Sequence, residues 1–180
     1  MLPSVLWDSV QPCFSLSEEG DWLPTVQLVG LSEHEISSVY QWIRATSQFA
    51  TSKPCLWHFG QQRSIPLDEV SDAARLVAAG NADPFGFAVK GIHIGEVELP
   101  TLGIEVFQSS IGINYSLRDH WTAHIVYAFF SMLLRLLRLT QKAYLSLDTM
   151  GPPLDPERFL EAWNIFRSEE EKDTDGRLDG

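Results

Sequence analysis

The residues best placed to do chemistry are Asp119, His120 and His124. Two histidines four apart share a helix face, which is how helical zinc pairs present their imidazoles. Asp119 or His93 would serve as a third ligand. The metalloprotease pattern places Glu directly after its first His, and Trp121 stands there instead. Ser109 or Ser110 with His120 and Asp119 would supply the residue types of a nucleophilic triad, but the Gly-x-Ser-x-Gly elbow is missing. Gly91-Ile92-His93-Ile94-Gly95 lacks the third glycine and the following helix of a phosphate cradle. The Asp119/His120/His124 cluster therefore carries the enzyme reading, that of a hydrolase with or without a metal. No motif calls for a cofactor or a resident metal.

The elements that must position these residues follow from hydrophobic period. Asp119 to Leu139 is the longest apolar segment and has no acid after its first residue. Ile125, Phe129, Met132, Leu133, Leu136 and Leu137 make a broad stripe, and Val126, Phe130 and Leu134 widen it. Arg135, Arg138 and Lys142 suit the C-terminal dipole of such a helix. A helix over these residues spans about 30 Å and is expected to lie across a sheet as the central packing element. Ser32-Glu33-His34-Glu35 has the capping-box form, and Ile36, Val39, Tyr40 and Ile43 follow at helical spacing. Another helix is expected from Leu67 to Ala79. Asp155-Pro156 starts a last one, with Phe159, Trp163 and Phe166 as its docking face.

Strands are expected at 26–29, 55–59, 85–90, 104–107, 111–116 and 143–147, several of them alternating apolar and polar residues. Gln108-Ser109-Ser110 closes a hairpin, and Leu99 to Gly103 reads as a turn. The expected fold class is α+β: an antiparallel or mixed sheet with one long central helix and shorter flanking helices. Residues 1–167 read as one domain and 168–180 as an acidic, flexible tail.

Bulk composition restricts function further. The chain of 180 residues has a formal net charge of −11. Such a surface repels nucleic-acid phosphates and draws in basic proteins. The apolar run Ile125 to Leu134 is shorter than the roughly 20 residues that span a bilayer. Residues 1–31 hold no Lys or Arg, as a signal or transit peptide would need. Cys13 and Cys55 lack redox or zinc spacing. These features place the chain in the cytoplasm. The expected function is a non-enzymatic protein-binding module. Its most specific form is a bacterial immunity protein or inhibitor that masks a basic toxin or enzyme. Contacts are expected from Asp68, Glu69, Asp72, Glu96 and Glu98, with Trp22 and Trp42 as aromatic anchors. A homo-oligomeric structural or adaptor protein, associating through its aromatic faces, is the remaining class.

Overall fold

The computed structural model describes residues 1–15 and 23–175. In chain order its elements are α1 (Pro3–Val10), β1 (Thr25–Val29), α2 (Glu33–Thr46), β2 (Gln48–Phe49), β3 (Cys55–His58), β4 (Arg63–Pro66), α3 (Ala73–Ala78) and β5 (Phe85–Lys90). Then come β6 (His93–Ile94), β7 (Val97–Glu98), β8 (Leu102–Val106), β9 (Ser110–Tyr115), α4 (Ala123–Leu137), β10 (Tyr144–Leu147) and α5 (Pro156–Asp175). The fold is α+β. Its six-stranded sheet has the order β10-β1-β9-β8-β5-β2, and every pair is antiparallel.

Register sorts side chains by face. Val26, Ile113, Ile104 and Phe87 lie side by side across four strands, and all are buried. One residue along, the row is Gln27, Gly112, Glu105 and Gly86 on the opposite face. The glycine there has a steric reason. A Cβ on Gly112 would stand 3.1 Å from Glu105 Oε2, because the Glu105 side chain lies down over the neighbouring strand. One face of the sheet is thus apolar and the other polar, as an antiparallel sheet allows.

The apolar face carries α4. Phe129 packs against Tyr115 of β9, with ring centroids 5.5 Å apart. Phe130 turns toward α5 and meets Phe159, Trp163 and Phe166 at 5.1–5.9 Å. Helix α4 has 15 residues, about 22 Å, and α5 with 20 residues is longer. The single long helix expected over 119–139 is therefore not what forms. Trp121 is buried and donates from its indole N–H to the Ser116 carbonyl at 2.8 Å, which holds 116–121 in a turn. Thr122 then caps α4.

Other boundaries also move. The helix expected over Leu67–Ala79 divides into a 3-10 turn, Leu67–Glu69, and the shorter α3. Asp72 is the α3 cap, accepting from the Arg75 N–H at 3.1 Å. Leu102 and Gly103, expected in a turn, belong to β8. The acidic stretch after Arg167 continues α5 to Asp175. An Arg167–Glu171 pair at 2.7 Å and a Tyr127 hydroxyl bond to Glu170 at 2.7 Å support that extension.

Glu35 joins two parts of the fold. Its carboxylate accepts from the Ser32 hydroxyl at 2.7 Å and the Ser32 N–H at 2.8 Å, completing the capping box of α2. It also accepts from the Gln141 N–H at 2.6 Å, which ties α2 to the loop before β10. The Ser32 hydroxyl above all, then the Gln141 and Ser32 amides, hold this carboxyl down to about 2 from an ordinary 4.5.

Two outcomes follow from this packing. Phe130→Ala opens a cavity between α4 and α5 and lowers unfolding free energy by about 3–5 kcal/mol in urea titration. Because Glu35 is depressed in the folded state, its contribution is full above pH 4.5 and is lost as pH falls toward 2. Glu35→Gln should therefore flatten the acid limb of a stability–pH curve across that window, and an unaltered limb would refute the assignment.

Candidate functional site

The structure separates the residues of the enzyme reading. Because α4 begins at Ala123, His120 stands before the helix and His124 in its first turn. The shared helix face that paired them does not exist. Both are exposed, and Asp119 is half-buried, its carboxyl raised by burial. Ser110 opens β9 while Asp119 follows the end of that strand. Ser110 therefore stands at the opposite end of β9 from the turn that carries Asp119 and His120. Among the described residues no group of three His, Cys, Asp or Glu is placed to hold a metal ion.

The expected partner contacts divide. Asp68 and Glu69 are exposed on the 3-10 turn that follows β4. Glu96 and Glu98 are exposed on the small β6–β7 hairpin, where Glu98 lies 3.9 Å from His93. Asp72 is half-buried, and it accepts from the Ser37 hydroxyl as well as capping α3. Trp42 is half-buried with the Arg135 guanidinium 5.8 Å from its ring centre. Both are committed to internal packing. Trp22 lies outside the described residues.

The strongest exposed aromatic feature is one that sequence reading treated only as a strand. The β3–β4 hairpin pairs Leu56 with Ile65 on its inner face, and both are buried. Its outer face pairs Trp57 with Ser64 and Cys55 with Pro66. Trp57 is 43% exposed, and Phe59 at the start of the turn is 45% exposed. This hairpin is fixed along both sides of β3. The Asp83 N–H donates to the Trp57 carbonyl and the Phe59 N–H to the Asn81 carbonyl, each at 3.0 Å. Gln62 closes the turn in the left-handed region (φ 51°). Two large rings are thereby presented on a held backbone. The acids of the Leu67–Glu69 turn flank one side of the hairpin in sequence, and Asp83 borders the other through its backbone bond.

Alternation located the strand but not which face would be left open. Cys55, Trp57 and Phe59 are apolar, while Leu56 shares its face with His58, so period two favours the wrong face for the core. The small size of the hairpin is the physical reason its outer face stays uncovered, since two strands have only one side against the body of the fold.

No family model, no curated protein and no solved structure matches the chain.

The two thiols on the described residues differ sharply. Cys55 is exposed on the hairpin, while Cys13 is buried, and burial pushes its thiol up to about 11. At pH 8 a thiol reagent should modify one cysteine per chain quickly, and Cys55→Ser should abolish that fast phase. Two equally fast thiols would show that Cys13 is not enclosed.

Proposed function

We propose that this chain is a protein-binding module whose contact centre is the β3–β4 hairpin, with Trp57 and Phe59 as anchors. The observation that carries this reading is the pair of large, exposed rings on a backbone hydrogen-bonded along both edges of β3. Trp is enriched among the residues that dominate binding energy, and a preorganised backbone spares the ordering entropy of association. Asp68 and Glu69 follow the open end of the hairpin, Asp83 is joined to Trp57 through its backbone, and the whole chain carries −11. The partner that fits is a protein with a basic rim around an apolar pocket. The most specific form of the proposal is an inhibitor or immunity protein that masks a basic toxin or enzyme. The described residues contain no helix long and apolar enough to cross a membrane. Two unpaired cysteines suit a reducing cytoplasm as the place of action.

The test is capture from a lysate of the source cells at low and high salt, followed by titration of the retained protein. A basic protein is expected, retained at low salt and weakened at high salt. Trp57→Ala should raise its Kd about 30-fold, the effect of losing a 2 kcal/mol anchor, with unfolding unchanged. Asp68→Lys with Glu69→Lys should slow association and reduce its dependence on salt. Undiminished affinity in Trp57→Ala would remove the hairpin from the interface.

A further inference from the structure

Among the described residues, the sheet ends in an edge that no other strand closes. In the β1–β10 ladder Asp148 donates its N–H to the Thr25 carbonyl at 3.1 Å. Hydrogen-bonded and non-hydrogen-bonded pairs alternate in an antiparallel ladder. Hence Ser146 and Tyr144, opposite Gln27 and Val29, also turn their backbone groups toward β1. Leu145 and Leu147 turn theirs outward, and so does Ala143. No backbone bond from these outward groups occurs among the described residues. Edge strands are commonly protected by proline, lysine or an inward charge. Tyr144-Leu145-Ser146-Leu147 has none of these, and Tyr144 is 59% exposed.

The charges just beyond the strand indicate the occupant. Lys142 precedes β10 and Asp148 follows it. We infer that β10 is a self-association edge, on which a second copy of this chain lays its own β10 antiparallel and centred on Leu145. In that register Leu145 faces its counterpart, Ala143 faces Leu147, and their outward amides and carbonyls pair. Tyr144 lies beside the second copy's Ser146. Lys142 stands opposite the second copy's Asp148, and the two-fold symmetry repeats the pair. The twelve-stranded sheet so formed leaves the Trp57 hairpin free. That hairpin adjoins β5, four strand spacings or about 19 Å from β10. The inference does not depend on the hairpin's role.

Sedimentation equilibrium of the full chain over a range of concentrations is the test, with a charge exchange as its control. The unaltered chain should show a monomer–dimer equilibrium. Lys142→Glu alone, or Asp148→Lys alone, places like charges opposite each other twice and should raise the dimer Kd about tenfold. Combining Lys142→Glu with Asp148→Lys restores opposite signs and should return Kd toward its starting value. A monomer at every concentration would overturn the proposal and leave the edge to a strand of another protein. A dimer indifferent to both single exchanges would overturn it equally, by placing the interface elsewhere.

Discussion

The fold depends on the burial of one apolar helix. In α4, nine of fifteen residues are buried, more than a single sheet face can cover. Phe129 and its neighbours take the sheet, and Phe130 needs a second layer, which α5 supplies through Phe159, Trp163 and Phe166. Phe14, just after α1, closes the same cluster, with its ring 4.9 Å from Tyr115 and 4.8 Å from Trp121. At about 1.5–3 kcal/mol per fully buried large apolar side chain, this cluster outweighs any surface ion pair in the molecule.

That burial takes place on one side of the sheet, and the consequence is geometric. The other side is left with Gln27, Glu105 and Gly86, where charge and small residues are compatible with water. The β3–β4 hairpin is attached at the margin of the fold with one face inward, so its outer rings stay partly exposed. Among the described residues the sheet also keeps an open edge at β10. A one-sided core, a hairpin with two uncovered rings and an unprotected strand edge arise from the same arrangement. The negative charge lies outside the apolar stripe of α4, where its desolvation cost is avoided.

Much of this was legible in the sequence, for local reasons. The α2 capping box is a contiguous signal, and the structure reproduces both of its reciprocal bonds. The strands at 85–90 and 111–116 alternate strongly, and they form within one residue of expectation. The Asp155-Pro156 start of α5 needs only two residues to be read. What failed depended on distant partners. Nothing local shows that Trp121 will bury its ring and delay the start of the helix to Ala123, and the proposed His120–His124 pair rested on that helix. Asp72 resembled any surface acid until Ser37, 35 residues away, came to meet it. The exposed face of Trp57 was hidden because Cys55, Trp57 and Phe59 are the more apolar set, while the face that turns inward holds Leu56 with His58. Helix α1, with no charged first turn and no side-chain cap, gave no start signal beyond Pro3.

The central claim is that the β3–β4 hairpin is where this chain meets its partner. Hydrogen–deuterium exchange of the full chain, alone and with its captured partner, tests that claim most directly. The account predicts slowed exchange across residues 55–66 and 81–83 in the complex, with the amides of α4 protected equally in both states. Unchanged exchange in the hairpin, with new protection confined to another surface, would contradict it.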